Sequence, residues 1–368
     1  ELYGPKMKRN QVLQKIIEDL DFAIQWLPEA GSEEANRLNK DIARHVKARF
    51  CLNEGTHYKY HDELEYASEA EKWLQMAATE SDKLITSGRY EIYNTGHPQE
   101  DYFNMYRIDD KSDLKEAVLY VDYKTNIREH NMAAAGREAG CGFSKSFVES
   151  FLCSDGLPIS LSNKYLGDET MRKETANRDP RLKQLILTND FPTNVTDDLK
   201  DSTFVVNEDE FITQHCFTGY RPIKGFNPIY SQALYMKSSF DGIAYRYAET
   251  LLINAEAKAE LNTITNADLD RTVNQLRDRV GMPHLTVNVG FTDPKWPDWG
   301  YSLSPVLQEI RRERCIELAG EGFRFNDLKR WKAGKLLNNV LTYVGKRKPD
   351  GNPVSYTHLR AHETCADL

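Results

Sequence analysis

The stretch that most limits what this chain can become is residues 303–331, LSPVLQEIRRERCIELAGEGFRFNDLKRW. Ser304 followed by Pro305 is the order of an N-cap and a first helical residue. Leu303, Leu307, Ile310, Arg314 and Leu318 then recur at steps of four and three, which places them on one helix face. That face is apolar except at Arg314, with Glu317 as a helical neighbour. A guanidinium on a mostly buried face requires a fixed partner, and Arg can hold a carboxylate through two parallel N–H bonds. Gly320 and Gly322 end the helix. A second helix follows, with Phe323, Phe325, Leu328, Trp331 and Leu336 for packing and Arg324, Asp327, Lys329 and Arg330 for charge. The expected unit is a helical hairpin locked by an Arg/Glu/Asp network. Glu313, Arg314, Glu317, Glu321 and Asp327 include the groups that acid–base chemistry needs, but no nucleophile or metal ligand stands beside them. A buried ion network is the expected role.

The run EIRRERCIELAGEGFRFNDLKRW resembles the C-terminal signature of the SusD/RagB family, whose usual form is RxERxxELxxEGxRxxDLxRW. Arg312, Glu313, Arg314, Glu317, Leu318, Glu321, Gly322, Arg324, Asp327, Leu328, Arg330 and Trp331 match it position by position. The likeness runs from about residue 10 to residue 337, strong over 242–331, where YRYAETLLINAEA and TVNQLRDRVGMP fall, and looser in RLNKDIARHVKARFCLNEGTHYKYH, SGRYEIYN, CGFSKSFVESFLCSDGLPI and NRDPRLKQLIL. The resemblance implies a mainly α-helical fold of tetratricopeptide-type helix pairs with a long loop-rich insertion. It further implies a non-enzymatic, glycan-binding lipoprotein of the Bacteroidota outer membrane that docks on a SusC-like TonB-dependent transporter. The chain opens at Glu1 without an initiator Met, and the lipid-anchored cysteine so implied would lie upstream of it.

Taken in order, residues 7–27 carry Val12, Ile16, Leu20, Ala23 and Leu27 at helical spacing. Further helices are expected over 36–53 and 66–87, separated by a His- and Tyr-rich loop, EGTHYKYHDELEY. Ala43, Ala70, Ala77 and Ala78 would let two helices approach closely, although no repeat of about 34 residues is evident. Over 90–241, Pro, Gly, Asn and Asp become frequent and helical periodicity fades; AVLYV at 117–121 reads as a strand and Asn177–Arg181 as a turn. Helix is expected again over 242–261, with Arg246, Glu249 and Glu256 on one face as inter-helix ion pairs, and over 267–281. The expected parts are therefore 1–89 (helical), 90–241 (irregular binding region) and 242–353 (signature helices). Residues 354–368, VSYTHLRAHETCADL, carry no packing stripe and resemble translated adaptor read-through. His358, His362 and Cys365 could pass there for a zinc site, but this stretch is set aside as non-native.

A formal net charge of −8 argues against nucleic acid or an anionic membrane surface as the main partner. The six cysteines form no CxxC pair and read as small buried hydrophobes. HExxH, GxSxG, P-loop and GxGxxG motifs are absent, no cofactor or metal is expected, and His57 and His61 fall in the expected loop. The positive signal is aromatic. FTDPKWPDWGY at 291–301 sets Trp296, Trp299 and Tyr301 in a Pro/Gly-rich loop, where flat faces suit sugar stacking. Tyr102, Phe103 and Tyr106 form a second patch, with Tyr102 and Tyr106 as further stacking candidates. Both groups would equally serve as caps on a hydrophobic core. The expected function is capture of an oligosaccharide. The alternatives are a helical-repeat adaptor that binds protein or, less favoured, a polysaccharide-degrading enzyme with two facing carboxylates.

Overall fold

A computed structural model describes residues 6–32, 36–63, 66–133, 142–213 and 216–347. The tail at 354–368 and Cys141 lie outside them. Helix α1 (Arg9–Trp26) leads to the antiparallel pair α2 (Lys40–Tyr60) and α3 (Ala70–Thr86), and α3 packs on α4 (Tyr247–Glu260). Leu52, Tyr58, Trp73, Leu74, Ile253 and Ala257 fill the space between these helices. The mainly α-helical expectation holds.

Three local expectations change, each for a physical reason. The inward face of α1 is Leu13 and Ile17, while Val12 is exposed, so the buried stripe lies one residue later than the sequence pattern suggested. The expected loop after residue 53 is helix as far as Tyr60. Gly55 sits mid-helix because a Cβ there would lie 2.8 Å from Leu74 Cγ and 3.0 Å from Leu74 N. Its helix-propensity cost of about 1 kcal/mol is offset by the close contact of α2 with α3. Third, residues 242–246 are a strand, not the first turn of the next helix. Strand β1 (Ala117–Val121) forms as expected, and its partner is β4 (Gly242–Arg246), antiparallel with Ala117 opposite Arg246 and Val121 opposite Gly242. A small second sheet pairs β2 (Pro192–Val195) with β3 (Ser202–Phe204).

The helix expected over 267–281 is broken at Arg271 and Thr272 into Asn266–Asp270 and α5 (Val273–Arg279), with Leu269, Val273 and Leu276 buried as expected. The signature hairpin is α6 (Pro305–Glu317) and α7 (Arg324–Arg330). Ser304 caps α6 by accepting the Leu307 N–H, and Gly320 and Gly322 turn the chain at φ values of 75° and 82° that only glycine adopts cheaply. The irregular region has a core of its own, around Phe151, Leu182, Leu185 and Tyr220, which meets Ile316 and Ala319 of the hairpin.

Charge joins these units. The Glu317 carboxylate accepts from Arg279 Nη2 at 2.6 and 2.7 Å, Arg246 Nη1 at 2.6 Å and Arg181 Nη1 at 3.0 Å. Its backbone carbonyl accepts from the Tyr102 hydroxyl and Arg246 Nη2. Although burial alone would raise it, the three guanidiniums hold the carboxyl well below the usual range. Glu313 takes Arg181 and Arg277, and Arg312 reaches Asp293 and Glu309. Asp327 takes Arg314 and Arg330, while Glu256 takes Arg330 and the Trp331 indole N–H. Glu321 takes Arg246 and Lys224. Arg246, Glu249 and Glu256 do form ion pairs between elements, each to a different one; Glu249 takes Arg49 and His45 of α2. Arg324 is the exception among the signature charges: it is exposed at the start of α7, outside the buried network.

Replacing Glu317 by Gln keeps the shape and removes the charge that three buried arginines share. The expected loss is about 3–5 kcal/mol in denaturant unfolding at neutral pH. Glu91→Gln, in the exposed pair with Lys115, is the control and is expected to change nothing measurable. Equal effects from the two would remove the network from its structural role.

Candidate functional site

A cleft of 420 Å³ opens between α2, the edge of β4 and the turn of the signature hairpin. The volume falls in the range of about 300–1,000 Å³ that suits small ligands. Arg49 and Asn53 line it from α2, Tyr106 and Lys224 from the irregular region, and Arg314, Glu321, Phe323 and Asn326 from the hairpin. The glycine turn lets Phe323 fold back so that its ring lies 5.1 Å from the Arg49 guanidinium and 5.4 Å from that of Arg314. Arg314 spends Nε on Asp327, yet its buried Nη1 has no hydrogen-bond acceptor among the described residues. A buried donor left unpaired in this way costs free energy.

The carboxylates in the cleft are already committed. Glu321 accepts from Arg246, Lys224 and the Tyr106 hydroxyl, and Asp327 is held by two arginines; in both, opposing cations outweigh burial and keep the carboxyl below its ordinary value. Asp241 accepts the backbone N–H groups of Lys111 and Tyr123. A smaller recess of about 100 Å³ adjoins the cleft, sharing Asn53, Asn326 and Arg330 with it and adding Arg9, His57 and Lys329. His57 and His61 stand on and just beyond the last turn of α2, with ring centres 4.1 Å apart, rather than in a loop. His61 is engaged through Glu63 and the Lys329 carbonyl. Among the described residues no group of three or more His, Cys, Asp or Glu is placed to hold a metal ion.

The aromatic candidates divide. Trp299 is buried, with Trp331 edge-on at 5.4 Å, the Arg311 guanidinium 4.8 Å from its ring and its indole N–H on Gln308, so its faces are closed to a ligand. Tyr102 is also fully buried and bonds the Glu317 carbonyl. Both are core caps and not stacking surfaces, because a flat ring beside a buried guanidinium stabilises the charge there. Tyr106 reaches the cleft wall. Tyr301 is half-buried, stacked on Tyr60 at 4.4 Å and bonded to the Trp331 carbonyl. Trp296 is half-buried beside Phe291, its indole N–H on Glu309 2.7 Å away. Sequence reading missed Arg49, Lys224 and Asn326 as cleft residues. Glu249 beside Arg49 was visible only as one of several charges, and nothing local marks Lys224.

Lys224 donates to the Tyr102 hydroxyl, the Ala319 carbonyl and Glu321. Burial outweighs the attraction of Glu321 and, helped by the nearby Arg246 charge, pulls its ammonium down to about 8 from 10.5. The unfolded chain keeps this proton up to the higher value and the folded chain only up to the lower one, so this residue makes stability rise with pH between them. Urea unfolding across that window is expected to show the rise in the parent and a flatter profile in Lys224→Met. Superimposable profiles would contradict it.

The fold has known counterparts. A model described as "SusD family" matches residues 73–362. SusD-like protein P2 of Formosa agariphila is 24% identical over 342 residues, covering 89% of this chain and 57% of its own length. A SusD-like protein from Bacteroides fragilis superposes with a TM-score of 0.64 at 24% identity, covering 90% of this chain and 61% of that one. A SusD-like carbohydrate-binding protein from the same species superposes with a TM-score of 0.63 at 21% identity, covering 90% and 60%. The chain therefore spans about three-fifths of the length of these relatives. With the family match running over most of its length and through the buried Arg/Glu hairpin, this chain belongs to the SusD family.

Proposed function

We propose that this chain binds oligosaccharides at the cell surface, without cleaving them, for a SusC-like TonB-dependent transporter in the outer membrane. The carrying observation is the cleft: side-chain amides of Asn53 and Asn326 and several cationic side chains line it, while its acids are ion-paired or hydrogen-bonded. Sugar hydroxyls are acceptors as well as donors, which suits the amides and cationic N–H groups of the cleft, while the rings of Tyr106 and Phe323 already lie against Lys224 and the arginines. A glycosidase acid needs a carboxyl raised toward neutrality across from a second carboxylate. Glu321 and Asp327 are instead pulled down by their cations, which supports binding over hydrolysis. No helix among the described residues is long and apolar enough to cross a membrane, and attachment is assigned to a lipid anchor in the longer protein. Trp296 and Tyr301 are proposed as outlying stacking faces and Tyr106 as part of the cleft.

Affinity electrophoresis through a panel of polysaccharides is expected to retard the protein on at least one of them, with no reducing sugar released. Asn326→Ala, on an exposed cleft residue, is expected to weaken retardation by about 1 kcal/mol while the fold is unchanged. Trp296→Ala tests the outlying face. Trp299→Ala is expected to cost about 3–5 kcal/mol of stability, as a core truncation. Retardation on no glycan would remove the binding reading, and released sugar would remove the non-catalytic one.

A further inference from the structure

We propose that the cleft selects acidic oligosaccharides: the recess beside His57 holds a carboxylate or sulfate ester while sugar rings occupy the larger space. This rests on the cleft being the glycan site and adds to that reading the class of glycan. At about 100 Å³ the recess is below the roughly 300 Å³ at which sites begin to take whole ligands, and is suited to one substituent. Among the described residues none that lines it is acidic.

The committed and uncommitted charges there are distinct. Arg9 is paired with Glu54, and Arg330 with Glu256 and Asp327. Lys329 has no carboxylate partner among the described residues; its backbone carbonyl is used by His61, and its ammonium is left for a ligand. The side-chain amides of Asn53 and Asn326 likewise make no hydrogen bond among the described residues, and both face the recess and the cleft. One ammonium and two amides are thus free donors at the junction among the described residues. Charge-assisted bonds to an anion are the strongest contacts such a set can make.

The local field agrees. Burial and then the charges of His61, Arg9 and Lys329 push His57 down to about 4, against a smaller opposing pull from Glu63. Two of the larger cleft's acids, Glu321 and Asp327, are each held by two cations, and the third, Asp241, lies outside the recess and accepts two backbone N–H groups. A neutral sugar would leave the Lys329 charge facing an uncharged ring, whereas an acidic one supplies its missing partner.

The test is calorimetric titration of the whole chain with three oligosaccharides of equal length: a neutral one, an oligogalacturonate and a sulfated galactan. The expected result is that one anionic ligand binds on the order of tenfold tighter than the neutral one, with affinity falling as salt rises. Lys329→Gln is expected to abolish that preference, while Lys335→Gln, a surface charge paired with Asp298, leaves it intact. Which anionic ligand wins assigns carboxylate or sulfate. The His57 ring, followed by NMR, is expected to titrate higher in the complex than its free value of about 4. Equal binding of neutral and acidic ligands, or an unchanged preference in Lys329→Gln, overturns the selectivity and leaves the glycan reading standing. Failure of all three ligands on this chain, together with failure of the polysaccharide panel, overturns both.

Discussion

One carboxylate shared by three guanidiniums is the constraint on which the other parts depend. Glu317 is fully buried, and so are Arg181, Arg246 and Arg279. Desolvating four charges costs several kcal/mol for each ion, and the attraction returns that cost only where every partner is in place. The partners come from the irregular region, the junction of β4 with α4, and the end of α5. A half-assembled state would strand uncompensated charge in a low-dielectric interior. The network is thus less a source of net stability than a test of correct assembly. The apolar clusters supply the favourable area, but hydrophobic burial has no direction; the arginine fork, with its fixed geometry, does.

The cleft follows from that assembly. Glu317 sits at the last turn of α6, so the chain must reverse directly beyond it, and Gly320 and Gly322 make the reversal in the left-handed region. The reversal projects Glu321 back toward Arg246 and Lys224 and places Phe323 over Arg49 and Arg314. Asp327, one helical step further, captures Arg314 through Nε alone. A guanidinium has five N–H donors, and a carboxylate also claimed by Arg330 cannot satisfy them all. The spare Nη1 is the geometric remainder of a structural ion pair. The same residues hold the hairpin together and line the cleft beside it.

Legibility in the sequence tracked how local each determinant was. The hairpin, its N-cap at Ser304 and its glycine stop were readable because Ser-Pro, the apolar period and the glycines lie within one turn of what they determine. The strand GIAYR was not, because Tyr245 and Ile243 continue smoothly into the helical pattern of Tyr247–Glu260, and only pairing with a segment more than a hundred residues earlier makes them extended. Gly55 read as a loop residue because the reason for it, Leu74 on the next helix, is a tertiary contact. The α1 stripe was misplaced by one position because two apolar rows, through Val12 and through Leu13, run down the helix, and period alone does not say which faces α2. Trp299 read as a loop aromatic available to a ligand; the guanidinium of Arg311, whose carboxylate partner is Glu260 of α4, draws it inward.

That last case bears on how function should be read from charge and aromatic content. Overall charge of −8 predicts repulsion of anions, and abundance of rings predicts stacking, yet neither average applies to a particular surface. Many of the acids are bound to arginines in the interior, where their fields are cancelled within a few ångströms. The rings nearest those arginines are consumed in covering them, as Tyr102 covers Arg279 at 4.8 Å and Trp331 covers Arg311 at 4.4 Å. What a ligand meets is the residue left after this internal pairing. At the junction of cleft and recess what is left among the described residues is the Lys329 ammonium and two free amides, a positive remainder in a negatively charged protein. Counting charges locates no site; finding the ones that folding has not already neutralised does.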